Sequence, residues 1–332
     1  MKILYAIQGT GNGHMARAEE VIPILKEFGE LDLFVSGSQA DIRLPYPIRY
    51  TSKGLSFYFG KQGGIDFIKT LRNNNLRRVF REIRDFPVCD YDLIINDFES
   101  ISAWACKQQN VPCLALSHQF ALTSPKVPKP AHRDAVGSWF LANYAPVERG
   151  IGFHFAAWDR NIFTPVIRQR IRTATIKDKG HITVYLPAYS DEKIIQALRR
   201  YRGIRWDVFS KHTRKAYETG NLRIRPVDNE SFTSSVTTSS GVVCGAGFET
   251  PAEALYLGKR LLVIPMKNQY EQHYNAAGLA ALGVPVMPKL SENHAEIMTN
   301  WLESNRKVHV HFEDQTQSAL ERLFKMHRKD QV

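Results

Sequence analysis

Short apolar runs recur along the chain, with stretches of helical spacing between them. The first half holds "KILYAI", "LDLFVS", "PIRYTS", "DLIIND", "PCLALS" and "GIGFHF", most of them leading into a helical segment. After residue 180 the alternation restarts with "ITVYLP", "RWDVFS", "LRIRP", "GVVCGAG", "RLLVIP" and "VPVMP". Strands separated by helices predict parallel sheets covered on both faces. Two successive sets predict two doubly wound α/β domains. The stretch between them, "AAWDRNIFTPVIRQRIRTATIKDKG", is polar and basic and reads as a linker. In such sheets ligands bind at the carboxyl ends of the strands, so residues at strand exits are the functional candidates.

The length of 332 residues suits two domains of roughly 150 each. No apolar run approaches the roughly 20 residues that cross a bilayer. The N-terminus is too short in apolar residues for a signal peptide, and the four cysteines have no paired spacing. These features predict a cytoplasmic protein with reduced, mostly buried thiols. The net charge of +11 is uneven: residues 166–225 hold 15 basic and 5 acidic side chains, residues 226–332 hold 10 and 12. Such a local excess is either a solvated face or the footprint of an anionic partner.

Two glycine loops carry the candidate chemistry. "GTGNGHMARAEE" follows the first strand and opens a helix, whose free N–H groups favour anions. Its glycines at 9, 11 and 13 do not spell G-x-G-x-x-G, and no G-K-[ST] follows, so neither a dinucleotide site nor a P-loop is predicted. His14 stands where loop becomes helix, either as a base or as a packing residue. The second loop runs from "VVCGAGFETPAEAL" to "KNQYEQHYN". Small residues precede Thr250, Pro251 and Glu253 at a helix start, with Pro251 suited to a first turn. Gln269, Glu271, Gln272 and Asn275 then offer the donors and acceptors that sugar hydroxyls need, unless they simply face water.

Together the loops resemble those of the GT-B glycosyltransferases, most closely the family 28 type. That group includes the peptidoglycan lipid-linked N-acetylglucosaminyltransferase and the plant galactolipid synthases. "GTGNGH" is similar to its first loop, with Asn12 in place of a glycine, and "GFETPAEALYLGKR…IPMKNQYEQHYNA" to its second, with Lys259-Arg260 in place of a proline. The resemblance implies two Rossmann-like doubly wound domains facing across a cleft, residues 1–160 and 167–311, with a terminal helix over 315–332 packing back on the first. It implies a nucleotide-sugar donor, expected to carry UDP, bound by the C-terminal domain. By matched position Glu253 would hold the ribose hydroxyls. Gly247, Phe248 and Thr250 would line the pyrophosphate, Gln269, Glu271 and Gln272 would contact the sugar, and Gly245 would belong to the same donor site. Gly11, Asn12 and Gly13 would form an acceptor or phosphate loop, with His14 pointing into the cleft.

A second carboxylate is available at a strand exit in "DLIINDFES", where Asp97 could orient His14, act as the base, or cap the helix that starts near residue 99. Asp90-Tyr91-Asp92 spells the D-x-D metal motif of another glycosyltransferase fold, but it enters a strand, so neither a catalytic metal nor a cofactor is expected. The expected acceptor is a lipid-linked or cell-envelope glycan. A basic helix over 66–86, carrying Lys69, Arg72, Arg77, Arg78, Arg81 and Arg84 beside Phe57, Tyr58 and Phe59, could lie on an anionic membrane or pack as a crossover helix. The protein is then cytoplasmic and peripheral to the inner face of the membrane. The competing readings are a nucleotide-sugar 2-epimerase of the same architecture and a basic nucleic-acid binder. The sequence lacks an RNP motif, a zinc pattern and clustered stacking aromatics, so no nucleic-acid partner is expected.

Overall fold

A computed structural model describes residues 1–37, 44–55, 75–131, 135–267 and 269–330. The chain begins with β1 (Lys2–Gln8), α1 (Asn12–Phe28), β2 (Glu30–Ser36), β3 (Tyr50–Ser52) and α2 (Leu76–Asp85). There follow β4 (Leu93–Asp97), α3 (Ser100–Gln109), β5 (Cys113–Ser117), α4 (His118–Thr123), α5 (Ala135–Asn143), β6 (Arg149–Phe153) and β7 (Ile162–Phe163). Then come α6 (Gln169–Arg172), β8 (His181–Tyr185), α7 (Asp191–Leu198), β9 (Arg205–Ser210), β10 (Tyr217–Thr219), β11 (Leu222–Pro226) and α8 (Asn229–Thr238). The last are β12 (Gly241–Cys244), α9 (Glu249–Tyr256), β13 (Arg260–Val263), α10 (Tyr270–Ala281), α11 (Ala295–Glu303) and α12 (Thr316–Asp330).

The chain divides into two compact units: Met1–Val127, His132–Arg168 and Glu313–Val332 form the first, Pro128–Ala131 and Gln169–Phe312 the second. The first holds a seven-stranded sheet in the order β3-β2-β1-β4-β5-β6-β7, parallel throughout. Its central strand is sealed on both faces: Ile3, Leu4, Tyr5, Ala6 and Ile7 are fully buried, which is why β1 reads as an unbroken apolar run. The order of strand addition reverses beside β1, since β2 and β3 are laid to one side and β4 to β7 to the other. The crevice above the carboxyl ends of β1 and β4 is therefore the switch point where such sheets hold ligands. Helix α12 joins this unit by stacking Phe324 on Phe28 of α1, ring centroids 4.0 Å apart.

The second unit holds a six-stranded sheet in the order β10-β11-β9-β8-β12-β13, parallel except for the β10–β11 hairpin. Its core gathers Ile182, Val184, Trp206, Val208, Ile224, Val243 and Leu262. The switch point here lies between β8 and β12.

The expected α/β architecture of two parallel-sheet domains is present, with local differences. "VPVMP" forms no strand and contributes one parallel bridge, Val263 to Val286. The polar stretch 156–180 is not a free linker, because β7 within it closes the first sheet and α6 follows. Of the expected basic helix over 66–86, α2 is seen, whereas residues 66–74 and the aromatic trio Phe57, Tyr58 and Phe59 lie outside the described residues. Phe80 on α2 is 69% exposed, so it is not part of the core that Val79 and Ile83 join. All four cysteines are free thiols, with only Cys106 and Cys244 buried.

Candidate active site

The first glycine loop is shaped by crowding. Gly9 N–H donates to Ser36 O at 2.6 Å, and a Cβ at Gly9 would sit 2.9 Å from Val35 Cγ1 and 3.0 Å from Ser36 O. Any larger residue would push the loop off β2. Gly11 takes φ +102°, a conformation that favours glycine, and α1 begins at the next residue. Asn12 and Gly13 thus occupy its first turn. His14 comes third in the helix and Arg17 one turn later, so both project from one face.

That face meets the last residue of β4. His14 Nδ1 lies 2.8 Å from Asp97 Oδ1. Arg17 Nη2 donates to Asp97 Oδ1 at 2.7 Å and to Oδ2 at 3.0 Å, while its Nε reaches Oδ2 at 3.2 Å. Tyr5 Oη adds a fourth donor at 3.3 Å. Asp97 is fully buried, His14 and Arg17 nearly so. Burial alone would raise the carboxyl of Asp97, but the charge of Arg17 and the bond from His14 outweigh it and hold Asp97 below its ordinary value. The Tyr5 phenol is pushed well up, first by burial and then by the neighbouring Asp97 charge. Arg17 Nη2 also lies 3.0 Å from His14 Nδ1. In the tautomer that places the hydrogen on Nδ1, that N–H donates to Asp97, which can only accept, and Nε2 keeps its lone pair. Gln119 Nε2, at the start of α4, stands 3.3 Å from that Nε2.

Asp97 does not cap α3, contrary to one reading of the sequence. Phe98 takes φ +55° and turns the chain so that Glu99 caps the helix instead. The Glu99 carboxylate accepts from Ile101 N at 2.7 Å, Ser102 N at 2.7 Å, Ser102 Oγ at 2.6 Å and Ser36 Oγ at 2.6 Å. With only neutral donors around it, burial pushes the Glu99 carboxyl up despite those bonds. Asp97 is sealed from solvent, and its oxygens are engaged by Tyr5, His14 and Arg17. Asp92 of the D-x-D triplet accepts from Lys2 N at 2.7 Å at the opposite, amino edge of the sheet. Among the described residues, no cluster of three His, Cys, Asp or Glu is placed to hold a metal ion.

In the second unit β12 runs straight into Gly245, Ala246, Gly247 and Phe248, and α9 begins at Glu249. Gly245, Gly247 and Thr250 are half-buried at that helix start, and Phe248 and Glu253 are buried. The loop is tied to the one after β13. Gln272 Oε1 accepts from Met266 N at 2.9 Å, Gln272 Nε2 donates to Gln269 Oε1 at 2.7 Å, and a Cβ at Gly245 would lie 3.4 Å from Gln272 Oε1. Asn275, fully buried, donates to Ala246 O at 3.1 Å and so packs the loop rather than facing the crevice. Gln269 and Glu271 remain half-exposed there. Lys259, which departs from the expected proline, is buried, with Nζ donating at 2.8 Å to the carbonyls of Lys177, Thr237 and Ser239. Burial lowers its pKa.

The structure thus brings His14 and Asp97 together, and it groups Gly245, Gly247, Phe248, Thr250, Glu253, Gln269, Glu271 and Gln272 at the other switch point. Sequence reasoning missed Arg17, Tyr5 and Gln119. The helical i+3 spacing from His14 marks Arg17, and the strand-exit rule marks Gln119 at the end of "CLALSHQ".

Comparisons with known proteins bear on the family and the fold. A family model described as glycosyl transferase family 1 matches residues 1–304. Among solved structures, the chain is similar to Phytolacca americana UGT2 complexed with UDP-2fluoro-glucose and pterostilbene, with TM-score 0.59, 12% identity, and 98% and 93% of the two chains covered. It is similar to MurG of Acinetobacter baumannii, with TM-score 0.57, 13% identity, and 98% and 99% covered. A UDP-N-acetylglucosamine 2-epimerase gives TM-score 0.56, 12% identity, and 99% and 97% covered. At these identities the likeness concerns the fold, which is GT-B. No curated protein matches the sequence.

Proposed function

The chain belongs to glycosyl transferase family 1, and from that premise we propose that it moves a sugar from a UDP-sugar to a hydroxyl of a lipid-linked or cell-envelope glycan acceptor, inverting the anomeric carbon without a metal. In this reading the second unit binds the donor and the first supplies the base. The acceptor O–H gives its proton to His14 Nε2 while its oxygen bonds to the anomeric carbon. The bond from that carbon to the diphosphate breaks, and its electron pair leaves with the diphosphate. The backbone N–H groups that open α9 stabilise the departing charge. A positioned base is worth about 10²–10⁴-fold.

The single observation that carries this reading is the 2.8 Å contact between His14 Nδ1 and a buried Asp97. It leaves the ring's other nitrogen basic and fixes its direction, and Arg17 holds the carboxylate in place. Glu253 suits the ribose hydroxyls and the Gly245–Gly247 loop suits the diphosphate. No described helix is long and apolar enough to cross a membrane, so a lipid acceptor would be met from the membrane surface. The test is a thermal-shift and calorimetric panel of UDP, GDP, ADP and dTDP with their sugars, followed by assay of nucleotide release. Stabilisation by UDP and its sugars, with UDP released only when an acceptor is added, supports the proposal. Interconversion of the nucleotide sugar without any acceptor would replace it with the epimerase reading, which the likeness to a 2-epimerase keeps in view.

A further inference from the structure

One face of the first unit concentrates cations that neither the sheet nor the His14 site uses. Residues of α12, Arg149 at the start of β6, and Arg160, Asn161 and Phe163 along β7 and its approach line a groove of about 800 Å³. Arg149, Arg160, Arg322, Lys325 and Arg328 contribute five positive charges to it, against one lining carboxylate, Glu321. Arg322 Nε donates to Asn161 Oδ1 at 3.1 Å, which fixes the direction of its guanidinium. Among the described residues, no carboxylate pairs with Arg160, Arg322, Lys325 or Arg328. Phe163 and Met326 add apolar lining.

We propose that this groove binds an anion carrying two or more phosphate groups, at a site separate from sugar transfer. Four of the five cations are arginines, whose planar forks each take two phosphate oxygens. Like charges gathered in a concave site with apolar walls focus their field on its interior and favour a multiply charged guest over a single carboxylate. Arg149 opens β6 and Asn161 precedes the edge strand β7, whereas Asp97 closes β4 and His14 follows β1, two to four strands away across the sheet. At about 4.8 Å per strand the groove lies roughly 10–20 Å from that site, so the guest anchors or regulates the enzyme and takes no part in the reaction. The guest is either a free polyphosphate or neighbouring lipid headgroups. The proposal is independent of the role given to His14.

The test compares the full chain with the variant Arg160→Ala/Lys325→Ala/Arg328→Ala, in which three exposed side chains are removed, so the melting temperature should be unchanged. Inorganic pyrophosphate is titrated by calorimetry, and vesicles of phosphatidylglycerol or of phosphatidylcholine are sedimented with each protein. Pyrophosphate affinity at least tenfold weaker in the variant, and falling steeply with salt, assigns the site to a free anion. Sedimentation with phosphatidylglycerol alone, lost in the variant and without pyrophosphate binding, assigns it to a lipid surface. Equal binding by both proteins, or none by either, overturns the proposal. Salt-sensitive binding of an RNA oligomer with both phosphate probes inert also overturns it, in favour of nucleic acid. UDP binding is measured alongside: its persistence in the variant separates the groove from the donor site. Its absence from both proteins would count against the proposed function and leave the groove standing.

Discussion

The two switch points share a topology and differ in what they hold out. In the first unit a glycine turn delivers a histidine into a buried network of opposite charges, Asp97 between His14 and Arg17. In the second, the Gly245–Phe248 stretch leads into the backbone N–H groups that open α9, and neutral amides stand beside it: Gln272 bonds Gln269 and Met266 N, and Asn275 bonds the loop at Ala246 O. In the proposed reading the first moves a proton and the second receives the charge that arrives with the ligand. The sheet sets the position of both loops, and the side chain that follows the glycine sets the difference between them.

If that division holds, damage to the first loop should strike turnover and damage to the second should strike donor affinity. The largest expected effect is for His14→Ala, about 10³-fold in kcat with donor KM nearly unchanged, read by steady-state kinetics. Equal turnover in this variant would break the comparison outright. Asp97→Asn should cost about 10²-fold in kcat and, because it leaves Arg17 buried with a neutral partner, about 3 kcal/mol in denaturant unfolding. It should also change the acid side of the stability curve. The folded carboxyl of Asp97 lies below its ordinary value of 3.8, so its contribution is complete above that value and is lost as pH falls through the lower, folded one. The Asn variant should lack that component. Glu99, shifted upward, has the opposite sign: its contribution is present below 4.5 and is lost as pH rises through the folded value.

Arg17→Met should lower kcat by about tenfold with donor KM little changed, read by initial rates. Arg17→Lys, which keeps a charge beside Asp97 without the bidentate fork, should recover part of that loss. In the other unit, Glu253→Ala should weaken UDP-sugar binding by about tenfold, roughly 1.4 kcal/mol, with kcat within a few-fold of wild type, measured by calorimetry and initial rates. The smallest effect is expected for Gln272→Ala, about 1 kcal/mol of stability from the lost tie to Met266 N, with a modest rise in donor KM.

Much of the architecture was legible in the order of apolar runs, because strands sealed on both faces need continuous stretches such as Ile3–Ile7. The two-residue β7 and three-residue β10 are too short to show a period, and they hid within polar sequence. His14 and Asp97 were legible by position at strand exits. Their companion Arg17 was not, since a charge in a helix's second turn reads as a solvent-facing side chain until the helix is docked. Gln119 looked like an ordinary polar residue after a strand. The choice between Asp97 and Glu99 as the cap of α3 lay beyond the sequence as well. Both are acidic, both are buried and they stand two residues apart, and the backbone turn at Phe98 decides which one reaches the helix N–H groups. Lys259 looked like a flaw in a ligand loop, yet its ammonium clasps three carbonyls of its own unit.

The bidentate grip of Arg17 on Asp97 has a further consequence. Before a substrate arrives, their formal charges already cancel, so neither group needs a counter-ion from solvent or ligand to stay buried. The carboxylate is thereby aimed at the ring in advance and holds the same direction at the start of every encounter.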